Sequence, residues 1–122
     1  MKLHLTTAEN NNLITAYSDE YIEINRQRYA QNLIVMPQTL IQDWQAVSFA
    51  DLSNDHFKQI ADLKPEVVLL GTGTTHLFLH PKHFQYLTDN GIALECMTTA
   101  AACRTYNILM SEGREVAAAL IL

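Results

Sequence analysis

The sequence predicts an α/β domain with a mixed β-sheet, in which antiparallel strands come first and a parallel βαβαβ half follows. Short segments rich in β-branched and aromatic residues fill the chain before Asp51. After Asp51, apolar runs alternate with segments of helical periodicity. A series of strand, helix, strand, helix and strand forms a parallel sheet with right-handed crossovers. A length of 122 residues fits one domain, so we expect residues 1–122 to form a single domain.

Four strands are predicted in the first part of the chain. Apolar and polar residues alternate partly within each of them, and the segments lie at 13–17, 21–25, 28–36 and 40–47. The connections between them are too short for parallel crossovers, so we expect antiparallel pairing. These strands must then either extend the parallel sheet or cover one of its faces.

The second part begins with a predicted helix within residues 52–65. Ser53 is a candidate N-cap for this helix, and Pro65 ends the helical pattern. The apolar run at 66–71 is typical of a strand that is buried on both faces. A second helix is predicted within 80–91, where a proline suits the first turn and a glycine follows the last one.

The last three elements follow without a long connection. Residues 92–96 form the next predicted strand. Either Thr98 or Thr99 caps the longest helix, and Gly113 closes it. The apolar segment 115–122 is predicted to be a strand buried on both faces.

Composition limits the classes of function. The formal net charge is -5, and phosphate contacts need a basic surface, so a nucleic-acid partner is not expected. No apolar segment reaches the roughly 18 residues of a membrane span. The beginning lacks the apolar stretch of a signal peptide, and the two cysteines, Cys96 and Cys103, suit a reducing compartment. We therefore expect a cytoplasmic protein.

A pocket is predicted at one end of the parallel strands. Ligands of open α/β sheets gather beyond the carboxyl ends of these strands, which lead here into the loops 71–75 and 96–99. The start of the longest helix faces the same end and brings free backbone N–H groups. The candidate pocket residues are Gly71, Thr72, Gly73, Thr74, Glu95, Thr98, Thr99, Cys103, Arg104 and Asn107.

Arg104 has two interpretations. Helical side chains lean toward the N-terminus, so Arg104 is expected to point back toward the two loops. There its guanidinium is suited to hold a carboxylate or a phosphate, which makes a small anion a possible ligand. The alternative is a structural role, in which Arg104 pairs with Glu95 or with a loop carbonyl and fixes the loops.

Two further motifs also keep two interpretations each. Cys103 lies early in a helix and beside an arginine, which can lower a thiol pKa, but it lies on the sheet-facing stripe as small buried cysteines do. The segment 71–75, "GTGTT", begins like a nucleotide-binding loop. His76 occupies the third glycine position of that fingerprint, which favours a plain tight turn.

No catalytic set is recognised. His76, His80 and His83 match no standard metal spacing and have no carboxylate among them, so we assign no metal site and no cofactor. No acid pair, nucleophile with a base, or phosphate loop is present, and we assign no catalytic residue. The sequence thus favours a non-enzymatic role without excluding an enzyme, and it does not indicate an oligomeric state.

The motifs "LLGTG", "GIALECMTTAAACRTYNIL" and "EGREVAAALI" resemble a family of small domains of unknown function. That family includes the mitochondrial assembly factor 3 of respiratory complex I. The resemblance implies a three-layer β/β/α domain with a mixed sheet. It also implies that certain residues occupy family motif positions: Gly71, Gly73, Gly91, Arg104, Asn107, Gly113 and Arg114.

Two functional hypotheses follow from the residues and the resemblance together. The first is a protein-interaction or assembly factor that binds another protein, as the resemblance implies. The second is a small-molecule or anion binder, or an enzyme, with its pocket at Gly71–Thr75 and Thr98–Arg104.

Overall fold

The computed structural model describes residues 11–44 and 48–122. Within these ranges the strands are β1 (Ile14–Tyr17), β2 (Ile22–Ile24), β3 (Gln27–Tyr29), β4 (Leu33–Met36), β5 (Thr39–Ile41), β6 (Val67–Thr72), β7 (Ala93–Met97) and β8 (Val116–Ile121). The helices are α1 (Asn54–Ala61), α2 (Gln85–Asp89) and α3 (Thr99–Ser111), with short 3-10 turns at Phe49–Asp51 and Pro81–His83. Helices and strands alternate only in the second part, as the sequence predicts.

The described residues form a five-stranded central sheet with the order β5-β4-β8-β6-β7. Strand β6 runs parallel to both neighbours, so that Val67 lies opposite Ala93 of β7 and Val116 of β8. Strand β4 joins the other side of β8 in the antiparallel direction, with Leu33 opposite Leu120. The predicted mixed sheet is therefore confirmed, and β4 with β5 extends its parallel half.

The outer sheet, β1-β2-β3, covers one face of the central sheet together with α3. Helices α1 and α2 cover the opposite face. Strand β6 shows the division, because Val67 and Leu69 belong to the first core while Val68 and Leu70 belong to the second. These layers confirm the three-layer β/β/α arrangement.

Several predicted boundaries were wrong. The single strand expected at 28–36 is divided into β3 and β4, which belong to different sheets. The chain changes sheet at the polar residues Gln31 and Asn32, where the Asn32 Oδ1 accepts a hydrogen bond from the Leu122 N–H. Of the strand expected at 40–47, only β5 forms, and residues 45–47 lie outside the described residues.

The helix expected within 80–91 is also shorter than predicted. A 3-10 turn at its start is separated from α2 by Phe84, whose φ of -127° and ψ of 24° leave the helical region. By contrast, α1 begins after Ser53, and the Ser53 N–H donates to His56 Nδ1 at 3.1 Å. The last strand, β8, is buried along its whole length, as its apolar sequence indicates.

Candidate functional site

The loops that follow β6 and β7 meet at Thr99, the first residue of α3. The Thr99 N–H donates to the Gly73 carbonyl at 2.9 Å, and the Gly73 N–H donates to Thr99 Oγ1 at 2.8 Å. The same hydroxyl donates to the Ile121 carbonyl at the end of β8 at 2.6 Å. One buried threonine therefore joins the carboxyl ends of all three parallel strands.

Gly71 permits this close approach between β6 and α3. A Cβ atom at Gly71 would lie 2.9 Å from the Cα atom of Thr99 and 3.1 Å from Cδ2 of Leu120. Gly73 has a φ of +92°, a region that favours glycine. The close packing at Gly71 and the positive φ at Gly73 therefore explain why glycine occupies both positions, which supports the interpretation of this segment as a tight turn.

Thr72 organises the rest of the loop after β6. Its Oγ1 lies 2.6 Å from the Thr75 carbonyl oxygen and 3.2 Å from that of Met97, and it accepts a hydrogen bond from the Leu77 N–H at 3.1 Å. Thr72 is buried, so these contacts are shielded from water. The loop conformation is consequently held from inside by one side chain.

A cavity of about 380 Å³ lies beyond these strand ends. Its lining residues are Tyr17, Ser18, Asp19, Gly73, Thr74, Thr98, Thr99, Ala100, Ile121 and Leu122. The candidate residues that line it are Gly73, Thr74, Thr98 and Thr99, whereas Gly71, Thr72, Glu95, Cys103, Arg104 and Asn107 do not. The sequence pattern thus indicates the end of the sheet where the cavity lies, but not the walls that β1 and β8 supply.

Arg104 does not lie between the two loops. Its Nη1 donates to the Tyr17 hydroxyl at 3.0 Å, and its side chain is exposed. No carboxylate of the described residues lies within 4.0 Å of the guanidinium, so the expected pair with Glu95 does not form there. Arg104 reaches the cavity only indirectly, through the tyrosine that forms part of its wall.

Asn107 fastens the outer sheet to α3. Its Nδ2 donates to the Ile14 carbonyl at 2.8 Å, and its Oδ1 accepts from the Ile14 N–H at 3.0 Å. The Asn107 amide therefore makes the two backbone hydrogen bonds with Ile14 that a neighbouring strand would otherwise make. One position earlier, the Tyr106 hydroxyl donates to the Asn12 carbonyl at 2.7 Å. Burial raises the pKa of Tyr106, so the phenol remains a donor.

Cys103 is buried and cannot act as a reactive thiol in the folded protein. It has no solvent-accessible surface and packs in the first core. Burial raises the pKa of Cys103 to about 12, and the charge of Arg104 only partly opposes this effect. The thiol is therefore protonated at neutral pH, and the interpretation as a small buried residue holds.

Glu95 does not line the cavity, and its side chain is exposed on β7. The ring centroids of His80 and His83 lie 6.4 Å apart, whereas the His76 ring packs against Phe78. Among the described residues, no group of three or more histidine, cysteine, aspartate or glutamate side chains is arranged to hold a metal ion. The part of the chain that the structure describes also contains no helix both long and apolar enough to cross a membrane.

An exposed apolar tip, which was not predicted from the sequence, lies on the loop between β6 and the turn at Pro81–His83. Phe78 is 81% exposed and Leu77 is 38% exposed. The His76 ring packs against Phe78 with ring centroids 4.4 Å apart. Two bulky apolar residues in a segment without helical or strand periodicity are the pattern that indicates such a tip.

Solved structures with a similar fold define the class of protein to which this chain belongs. The structure of a Bordetella parapertussis protein is similar, with a TM-score of 0.86 and 41% identity, covering 91% of this chain and 95% of that one. A Bordetella pertussis protein described as a Mth938-like domain superposes with a TM-score of 0.79 and 34% identity, over 90% of this chain and 85% of that one. The chain therefore has the fold of a Mth938-like domain.

The family model described as "Protein of unknown function (DUF498/DUF598)" matches residues 14–121, and the chain belongs to this family. A curated relative from Mus musculus is named NADH dehydrogenase (ubiquinone) 1 alpha subcomplex assembly factor 3. It is 37% identical over 110 residues, which are 88% of this chain and 59% of the relative. The chain thus spans about three fifths of that relative's length.

Proposed function

We propose that this chain is a non-enzymatic interaction protein that acts as an assembly factor for other proteins. The name of the mouse relative supports an assembly role, although the chain spans only 59% of that protein. The observation that carries the proposal is the exposed apolar tip formed by Leu77 and Phe78. Burying one exposed phenylalanine against a partner stabilises a complex by about 1.5–3 kcal/mol.

The tip is prepared for binding before a partner arrives. Thr72 Oγ1 accepts a hydrogen bond from the Leu77 N–H and lies within hydrogen-bond distance of the Thr75 carbonyl oxygen. Because these contacts already fix the loop, binding of a partner costs little conformational entropy. The surrounding segment, residues 76–83, contains three histidines and Lys82 but no acid, although the whole chain has a net charge of -5. This local charge favours a partner subunit with an apolar pocket and an acidic rim.

Affinity capture followed by reconstitution tests this proposal. The tagged chain is used to capture proteins from a lysate, and the recovered protein is purified and titrated calorimetrically. We expect Phe78→Ala to weaken binding at least tenfold, since 1.4 kcal/mol corresponds to a factor of ten. Ile108→Ala is the matched control, because Ile108 is also exposed but lies on α3.

The outcomes separate the two parts of the proposal. Equal binding by Phe78→Ala and the wild type would refute the role of the tip while leaving an assembly function. Recovery of no partner at all by the wild-type chain would refute the assembly function itself. A loss with Ile108→Ala that matches the loss with Phe78→Ala would move the contact to α3.

A second candidate function is the binding of a small molecule in the cavity. It is favoured by the position of the cavity at the carboxyl ends of the parallel strands, where Gly73, Thr74, Thr98 and Thr99 line it. The Asp19 carboxylate is part of the same wall and disfavours an anion on its side. Any anion would therefore lie toward Ala100 and the start of α3.

Thermal unfolding with phosphate, citrate and short dicarboxylates tests this second candidate. Binding raises the melting temperature, and the increase grows with the logarithm of the ligand concentration once that concentration exceeds the dissociation constant. Ala100→Leu adds bulk to the wall of the cavity and should abolish the increase. An unchanged melting temperature with every anion would exclude anion binding there.

A cytoplasmic location is part of the proposal. It is supported by Cys96 and Cys103, which are both free thiols, as reducing compartments favour. Fractionation of cells that express the tagged chain tests this location, and recovery in a membrane pellet would contradict it.

A further inference from the structure

Among the strands that the structure describes, β7 forms one edge of the central sheet and pairs with β6 alone. The Met97 carbonyl lies 3.2 Å from the Oγ1 atom of Thr72, so the Met97 peptide group faces β6. Peptide groups alternate in direction along a strand, so those of Leu94 and Cys96 face away from β6. Among the described residues, no hydrogen bond outside the β6–β7 ladder occupies these two groups. The edge therefore offers two N–H and two C=O groups to an added strand.

The side chains of β7 differ between its two faces. Ala93 and Glu95 are exposed, and they lie opposite Val67 and Leu69 on the face that α3 covers. Leu94 and Cys96 are half-buried on the other face, where they pack against the second core. A strand added at this edge would therefore extend an apolar row on one face and lie beside a carboxylate on the other.

Glu95 decides which strand the edge accepts. It is the only charged residue of β7. Antiparallel pairing of β7 with a second copy, centred on the strand, would place Glu95 opposite Glu95, and like charges directly opposite each other are destabilising. A lysine or arginine opposite Glu95 is stabilising, and the small side chain of Ala93 leaves room for its long stem.

We propose that the β7 edge binds an extended basic segment of a partner protein, which adds to the central sheet as a sixth strand. The segment carries a lysine or arginine opposite Glu95, and apolar residues on either side of it continue the row formed by Leu94 and Cys96. Main-chain hydrogen bonds to the outward peptide groups supply affinity, and the alternating side chains supply selectivity. This contact does not depend on the Phe78 tip.

A titration with two short peptides tests the proposal. The probes are acetyl-TVKVT-amide and acetyl-TVEVT-amide, added to the isotope-labelled chain and followed by NMR. We expect the lysine peptide to shift the amide resonances of Leu94 and Cys96 and to slow the hydrogen exchange of both amides. The glutamate peptide should bind about two- to fivefold more weakly, as expected for opposite rather than like cross-strand charges.

Charge reversal at the edge provides the decisive comparison. Glu95→Lys should invert the preference, so that the glutamate peptide binds more tightly than the lysine peptide. Glu112→Lys makes the same change in net charge at an exposed position beyond α3, and it should leave the preference unchanged. Both positions are exposed, so both variants are expected to fold.

Three results would overturn the proposal. The first is the absence of shifts at Leu94 and Cys96 with the lysine peptide at millimolar concentration. The second is an equal inversion of preference by Glu112→Lys, which would reveal only general electrostatic attraction. The third is a concentration-dependent shift of the two amides without peptide, which would assign the edge to self-association.

Discussion

Replacing Asn107 by alanine removes two of the hydrogen bonds that hold β1 against α3. Both bonds reach the backbone of Ile14, at 2.8 and 3.0 Å, and both are partly buried. A protein hydrogen bond contributes about 1 kcal/mol net, so the pair contributes about 2 kcal/mol. We therefore expect Asn107→Ala to lower the free energy of unfolding by about 2 kcal/mol and the melting temperature by about 8 °C.

Urea denaturation followed by circular dichroism measures this loss, and hydrogen exchange locates it. The Ile14 amide should exchange faster in Asn107→Ala, because its acceptor is gone. Asn107→Asp is a useful second variant. It retains the acceptor for the Ile14 N–H but places a carboxylate against the Ile14 carbonyl, so it should be at least as destabilised at neutral pH.

Ser111→Ala is the matched control on the same helix. Ser111 is exposed, and among the described residues its hydroxyl donates to the Ile108 carbonyl alone, so its replacement should change stability by less than about 0.5 kcal/mol. The reasoning would be refuted if Asn107→Ala were as stable as Ser111→Ala, or if exchange of the Ile14 amide stayed the same. Either result would mean that the Asn107 hydrogen bonds do not contribute to holding the outer sheet on α3.

Three further predictions concern single side chains. Gly71→Ala should cost about 1–3 kcal/mol in urea denaturation, because the added methyl group would lie 2.9 Å from the backbone of α3; unchanged stability would contradict that contact. Iodoacetamide at pH 8 should label Cys96 but leave Cys103 unlabelled until the protein unfolds, and peptide mass spectrometry would expose equal labelling. A hydrogen bond from the Glu115 N–H lowers the pKa of Glu66 below its ordinary value of 4.5, so its contribution to stability is present above pH 4.5 and is lost as the pH falls through the folded-state pKa. Glu66→Gln should therefore destabilise the protein at pH 7, and its stability difference from the wild type should shrink below pH 4.5.

The second part of the fold could be predicted because its patterns are local. The apolar run of β6 and the small-residue run of β8 indicate strands buried on both faces, and this is how both strands lie. The antiparallel first part could be recognised as β-rich, but not divided correctly. Residues 28–36 read as one strand, since no glycine or proline marks the change of sheet between β3 and β4. The extent of the single domain over residues 1–122 stays a prediction.

The candidate site was predicted less well than the fold. Gly73 and Thr99 were correctly expected at the carboxyl ends of the parallel strands, because the order of strands and helices determines where those ends meet. Arg104 and Asn107 were candidate pocket residues, with a structural role as the alternative for Arg104, and in the structure both bind residues of β1. Helical periodicity gives the direction of a side chain but not the identity of what packs against it.

The sequence by itself determined the α/β class, the order of the elements, the mixed sheet and membership of the family. Each of these depends on periodicity or on motifs that lie within a few residues of one another. The tertiary structure decided the roles of the polar residues, because Asn107 and Ile14 are 93 positions apart. Contacts of that kind form only when the outer sheet packs against α3. No local sequence pattern specifies which polar side chain will then hydrogen-bond to which backbone atom.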